Sequence, residues 1–394
     1  MTRPNSFTVS AIRLHWIRIP LHEPFRISNG EVLTKDAILV ELQAQGYDAP
    51  GSTSALTGWG EASPMAGGFY SAETPESTWD ALRLQLVPGF LKQPELDPRR
   101  CSERFEEFPG EPFAKAGLEG AVWDLCSQLN SRPLWAELTG VEVREGQIAK
   151  PRDLASGAAI GLMPTVDLLL ERVARFLDEG YRRIKIKIEP GHDVELVRAV
   201  RQRFGDIPLM VDANAAYRLE DRHVFDALDG FGLMMIEQPL AREALAEHAD
   251  LQRHLRTPIC LDESADTLDS IREIIRLGSA RILNLKVQRM GGLWPARCAH
   301  DLALSAGIPC WLGTMPELGI ASAQGLHLAA TLPNFKFPTD VEASERWYVD
   351  DIITPPIEVS RDGFIELPDG LGMGYQADLE KVSRYRVRLE ELRT

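Results

Sequence analysis

No run of about 18 consecutive apolar residues occurs in the 394-residue chain, so no membrane-spanning helix is read from it. The opening residues, MTRPNSFTVS, lack the apolar core of a secretory signal, and a soluble, cytoplasmic protein is expected. Cysteine is scarce. Cys101, Cys126, Cys260, Cys298 and Cys310 are scattered without a CxxC pair, which argues against a disulfide framework and a structural zinc site. Basic residues are outnumbered, 43 Lys and Arg against 58 Asp and Glu for a net charge of −15, so the clustered basic surface that nucleic acid requires is not expected. No GxGxxG opens a helix after a first strand. The nearest Gly-rich string, Gly370-Leu371-Gly372-Met373-Gly374, has no helical pattern behind it and reads as a loop, which disfavours an open doubly wound, dinucleotide-binding sheet. Small molecules remain as the expected partners of an acidic chain long enough, at roughly 150 residues per domain, for two or three domains.

Up to about Gly146 the chain reads as α+β. Ala11–Pro20 and Ala37–Gln43 carry strand-like Ile, Leu and Val, the polar stretch Glu23–Asp36 reads as a loop between them, and Gly58–Glu76 (GWGEASPMAGGFYSAETPE) reads as a long binding loop. Helical spacing then runs through Ala114–Asn130. From Gly157 short apolar runs alternate with amphipathic helices, the mark of βα units. In VDLLLERVARFLDEG the apolar residues recur at three- and four-residue spacing, and Gly180 sits at the C-cap. Strands are expected at Ala158–Leu162, RRIKIKI, Ile207–Asp212, Leu233–Glu237, Pro258–Asp262, Arg281–Lys286, Ile308–Leu312 and Phe335–Asp340. Eight such units close into a TIM-type (β/α) barrel with its active site at the C-terminal ends of the strands.

Three of these strands end in an acid, Asp212, Glu237 and Asp262, 25 residues apart each time. A lone Asp after a strand is ordinarily a helix cap. Three at equal intervals converge at one barrel rim, where hard carboxylates hold Mg²⁺ or Mn²⁺. In RRIKIKI, Arg183, Lys185 and Lys187 share one face. Two lysines on one face suggest a solvated edge, but a closed parallel barrel has no solvated face, so they point into the site. Near a divalent cation, neighbouring ammonium groups are expected to depress one another's pKa and so supply a base near neutral pH. Lys286 ends the strand across the barrel, so Lys187 and Lys286 would flank a bound substrate. This set suits removal of a proton α to a carboxylate, whose ene-diolate needs cationic neighbours; a lysine base with Mg²⁺ is a known solution to that problem. Lysines on both faces permit racemisation. Trp59, in the Gly-rich loop, is a candidate substrate contact, whereas Trp311 and His300 read as core or helix positions.

The motifs RIKIKIEPGHD, LMVDANAAY, LMMIEQPL, TPICLDES, RILNLKVQRMGG and LPNFKFPTD, in this order, resemble the enolase superfamily, its muconate-lactonizing-enzyme subgroup, and within it the o-succinylbenzoate synthase and N-acylamino acid (N-succinylamino acid) racemase family. The resemblance implies a modified TIM-type barrel at residues 147–350, under an α+β capping domain built from residues 1–146 and completed by 351–394. It implies Asp212, Glu237 and Asp262 as Mg²⁺ ligands, Lys187 and Lys286 as the acid/base pair, Lys185 by the substrate carboxylate, and Asn214 next to the ligands or the substrate. The loops Phe25–Thr34 and Gly58–Tyr70 would close over the substrate, and a homo-oligomer is expected. Several positions depart from the family pattern. Ala159 stands for serine, Val287-Gln288 for Pro-Gly, Thr314 for glycine, Ser322 for arginine, and PTDVEAS for PGDTSAS. These spare the metal and the lysines and bear on the substrate, with Ala159 and Thr314 expected at the pocket. Racemisation of N-acylamino acids and elimination to o-succinylbenzoate are the expected reactions. A cycloisomerase or dipeptide epimerase would use the same residues. A non-catalytic metal-binding scaffold is disfavoured, because an idle site has no reason to keep lysines on both faces.

Overall fold

A computed structural model describes residues 7–27, 30–49, 52–65, 71–140 and 151–394. The expected boundary at 146/147 lies outside these residues. The chain begins with an antiparallel meander of strands β1 (Thr8–Ile27), β2 (Gly30–Ala49) and β3 (Ser52–Ala62). Glu23–Asp36, expected as a loop, is instead the far end of the β1–β2 hairpin. Pairing continues through Phe25 with Val32 and Arg26 with Glu31, after an irregularity between Pro20 and Phe25 that absorbs the proline. Likewise Gly58–Ala62, expected in a loop, is strand. Gly60 lies there because its backbone meets that of helix α1 (Pro112–Leu129); a Cβ at Gly60 would stand 2.0 Å from the Gly117 carbonyl oxygen. Inward apolar residues of the sheet, such as Ile12, Leu14, Val40 and Leu42, bury against Leu118, Val122 and Leu125 of α1.

Seven parallel strands follow in chain order around the second layer: β4 (Ala158–Ile160), β5 (Ile184–Lys187), β6 (Leu209–Asp212), β7 (Ile236–Glu237), β8 (Ile259–Leu261), β9 (Ile282–Leu285) and β10 (Cys310–Leu312). The eighth expected strand is reduced to bridges. Cys310 pairs with Phe335 on one side and Ser156 with Thr339 on the other, and Asp340 N–H donates to Leu312 O at 3.0 Å. Residues 334–340 thereby close the modified TIM-type barrel between its first and last strands. Amphipathic helices cover the outside. In α2 (Val166–Asp178), capped by the Thr165 hydroxyl on Leu168 N–H, Leu169, Val173 and Phe176 face the sheet. All five cysteines are unpaired. The final strand, β11 (Arg386–Arg393), returns to pair antiparallel with β1 in the cap sheet, in the order β11-β1-β2-β3. Among the described residues no helix is long and apolar enough to cross a membrane.

Buried carboxylates join cap to barrel. Glu119 of α1 accepts N–H bonds from Leu293 and Trp294 at 2.8 Å each, at the start of α3 (Leu293–Ser305). Glu61 of β3 accepts from Leu318 N–H at 2.7 Å and Ala321 N–H at 2.9 Å, at the start of α4 (Gly319–Thr331). Each places a negative group on the free N–H groups and positive dipole end of a barrel helix. Burial nevertheless pushes the Glu119 carboxyl up to about 7, against the pull of its four donors. His327 of α4 forms a further joint. Its Nε2 lies 2.8 Å from Met373 O and its Nδ1 accepts Trp135 N–H at 3.2 Å, an arrangement only a neutral imidazole satisfies, and burial holds its pKa down to about 4. A folded-state pKa below the unfolded value of about 6.5 stabilises the fold above that pH and loses the contribution as pH falls toward 4. The stability advantage of wild type over His327→Gln should therefore shrink by up to roughly 3 kcal/mol between pH 7 and pH 4, measured by urea unfolding at each pH. A gap that does not change with pH would contradict the neutral imidazole.

Candidate active site

Strand alternation inside a closed barrel sorts side chains into layers. Outward residues such as Ile184, Ile186, Val211, Leu261 and Leu283 pack under the helices. The inward residues Met210, Met235, Cys260, Ile282 and Trp311 form a separate apolar floor. One step further along the same strands, on the same inward face, come Asp212, Glu237, Asp262, Asn284 and the lysines. Arg183, buried in the floor, lies over the Trp311 ring at 5.0 Å and donates to Asp340 Oδ1 at 2.7 Å. Gly157 admits it, since a Cβ there would stand 2.5 Å from the guanidinium carbon.

Lys185 is the hub of the upper layer. Its Nζ lies 2.8 Å from Glu237 Oε2, 3.0 Å from Asp212 Oδ2 and 3.1 Å from Asp340 Oδ2. Burial works against its charge, but Asp212, Asp340 and Glu237 outweigh burial and raise its pKa well above the usual lysine value. Lys187 Nζ donates to Asp212 Oδ2 and Asn214 Oδ1, both at 2.6 Å. Across the barrel, Lys286 Nζ donates to Asp262 Oδ2 at 2.9 Å, and Arg289 holds the other oxygen of Asp262. Asn284 Nδ2 donates to Glu237 Oε1 at 2.8 Å.

The three expected metal ligands therefore stand at one rim, with Asp212 and Glu237 in register on adjacent strands, each drawn to a basic partner. Among the described residues, no three acidic, histidine or cysteine side chains stand close enough as placed to hold an ion. The donor chemistry nonetheless fits a hard divalent cation: three buried carboxylates, and no sulfur or imidazole among them. Glu237 bears the cost of their crowding. Burial first, and then the charge of Asp212 beyond what Lys185 offsets, push its carboxyl up to about 8, whereas Lys185 and Lys187 overcome burial to hold Asp212 below its usual value. A divalent cation among them would relieve that repulsion.

A cavity of about 440 Å³ opens above this layer. Lys185, Lys187 and Lys286 line it together with Ala159 and Thr314 from the strand ends. Phe25 and Met65 reach in from the cap, and Phe25 meets Trp347 edge-on at 4.7 Å. Of the two expected closing loops, residues 28–29 and 66–70 lie outside the described residues. Trp59 stands elsewhere: it belongs to β3, is buried in the core against His15, and gives its backbone N–H to Asp124. Trp311 and His300 are buried as expected, the latter accepting Asn334 N–H at 2.9 Å. Sequence reasoning assigned nothing to Asp340, Glu342, Glu263, Arg289 or Asn284. Asp340 and Glu342 line the cavity. Asp340 carried the same signal as the other acids, a carboxylate at a strand end, and Asn284 lies two residues before Lys286 on the same face.

Comparison with known proteins follows the same lines. The family model described as "Enolase C-terminal domain-like" matches residues 168–382. An o-succinylbenzoate synthase of Geobacillus kaustophilus is 43% identical over 96% of this chain and 96% of its own length. An N-succinylamino acid racemase of an Amycolatopsis species is 41% identical over 93% of this chain and 94% of its own. The crystal structure of an enolase-superfamily member from Listeria innocua superposes with a TM-score of 0.88 at 34% identity, covering 98% of this chain and all of the other.

Gly313 offers a test of the packing behind Glu237. A Cβ there would stand 2.1 Å from Asn284 Oδ1. Gly313→Ala should cost about 1–3 kcal/mol in urea unfolding, and Asn284→Ala in the same chain should recover part of it. Strict additivity of the two costs would contradict the contact.

Proposed function

The chain belongs to the enolase superfamily, and on that premise we propose that it removes the α-proton of a small carboxylate substrate, with Lys187 and Lys286 as the acid/base pair. The observation that carries this reading is two lysines from opposite sides of the barrel, lining one cavity and each anchored by a different rim carboxylate. Racemisation of N-succinylamino acids, or N-acylamino acids more widely, uses both: one lysine takes the proton from one face and the other returns a proton to the opposite face, through an ene-diolate. Dehydration to o-succinylbenzoate is a second activity of the same residues, favoured by the synthases among the relatives. There Lys187 acts as the base, and Lys286 remains protonated beside the developing negative charge. Asp212, Glu237 and Asp262 would hold Mg²⁺, which when bound supplies positive charge beside the substrate carboxylate. Lys185, kept cationic by its carboxylates, adds to that charge. The cap lines the cavity through Phe25 and Met65.

In D₂O the α-¹H signal of N-succinylamino acids should disappear on incubation with the protein. Lys187→Ala should slow exchange from one enantiomer by at least about 10²–10⁴-fold. If no member of a broad panel of N-acylamino acids exchanges, or if the variant exchanges as fast as wild type, the assignment fails. Separately, adding Mg²⁺ to chelator-treated protein should raise its melting temperature. Asp212→Asn should abolish that shift, and a shift left intact would remove Asp212 from the metal site.

A further inference from the structure

Lys187 has three N–H positions, and two are already directed: one toward Asp212 Oδ2 and one toward Asn214 Oδ1. A tetrahedral nitrogen fixed at two corners can aim its third, whether proton or lone pair, in only one direction, which here is the cavity that Lys187 lines. The aim holds only while the Asn214 carboxamide presents oxygen to the lysine. Turned over, its NH₂ would face another donor. The Asn214 backbone cannot decide the matter. It is clamped in the left-handed region at φ 42°, with its own N–H on Asp212 Oδ1 at 2.9 Å, and the next residue, Ala215, is at φ 61° with its N–H on Gln238 O at 2.8 Å. Besides the lysine itself, one contact holds the amide against rotation. Asn214 Nδ2 donates at 3.0 Å to Oε1 of Glu263, the residue after Asp262, and Glu263 Oε2 is buried with no hydrogen-bond partner among the described residues. With Oε1 as the acceptor of that bond, only one orientation of the amide satisfies it.

We propose that Glu263 is a positioning residue for Lys187: by holding the Asn214 carboxamide with its oxygen toward the lysine, it aims Lys187 at one face of the substrate. This rests on the acid/base reading of Lys187, and it predicts a defect concentrated on one face, because Lys286 donates to Asp262 and feels Glu263 only through space, with no hydrogen-bond link through Asn214.

The test follows α-¹H loss in D₂O separately for each enantiomer of an N-succinylamino acid. The enantiomer that Lys187→Ala no longer exchanges marks the Lys187 face. Glu263→Ala should slow exchange of that enantiomer about 10–100-fold and leave the other within about threefold. Glu263→Gln, whose amide oxygen still accepts from Asn214, should retain most of the rate. Equal slowing of both enantiomers, or no slowing, overturns the proposal. An NMR measurement keeps this separate from the reaction itself. The Asn214 side-chain NH₂ signal, identified by its loss in Asn214→Ala, should lose hydrogen-exchange protection in Glu263→Ala and keep it in Glu263→Gln. If no acid exchanges with wild type, the reaction assigned above has failed; the Asn214 signal then decides alone, and unchanged protection in Glu263→Ala overturns the positioning role.

Discussion

In a closed parallel barrel every second residue of every strand must share one dry interior with all the others, and that constraint organises this molecule. Charge can enter such a space only in compensated form. Apart from Arg183, the interior here is apolar up to the level of Trp311 and Cys260, and above it acids stand beside bases around the wall. Lys185, touching three carboxylates, permits Asp212, Glu237 and Asp340 to be buried side by side. Without it the rim would repel itself apart; with it the rim is held ready around a cationic centre. The lysine pair gains its geometry from the same source. Its members come from strands on opposite sides of the wall, and each is hydrogen-bonded to a carboxylate of the ring.

The cap is bound to this barrel by chemistry of the same kind. Glu119 and Glu61 reach from cap elements to the first turns of barrel helices and satisfy N–H groups that water would otherwise have to serve. Both contacts are buried, set in an otherwise apolar joint where Ile17, Leu39 and Trp123 of the cap share one cluster with the barrel. That arrangement suits a cap whose Phe25 and Met65 must stay over the cavity, since two helix starts and a neutral histidine fix its seat.

Much of this was legible in the amino-acid sequence, and the parts that were not share a physical cause. Alternation and equal spacing expose whatever depends on strand parity, which is why Asp212, Glu237, Asp262 and the lysines could be placed at one rim. Parity does not tell who touches whom across a barrel. The pairing of Lys185 with Asp340 and the link from Asn214 to Glu263 depend on distances between strands far apart in sequence. The acids that turn the Lys185 pKa upward were hidden for the same reason. In the cap, composition was the weaker guide. Glu23–Asp36 is polar because that end of the hairpin overhangs the barrel mouth, not because it lacks a ladder, and Gly58 and Gly60 mark a sheet pressed on a helix where the pattern suggested a loop.

The pairing of β11 with β1 has a consequence for how such a chain is made. Arg13 and Glu391, joined by an ion pair, are 378 positions apart. A ribosome releases β1 before the barrel strands and β11 after them, so the first strand waits, with one edge unpaired, while the barrel is made. Domains ordinarily fold as they emerge. Here the cap sheet that seats Phe25 over the lysines cannot be completed until the barrel beneath it has already been translated.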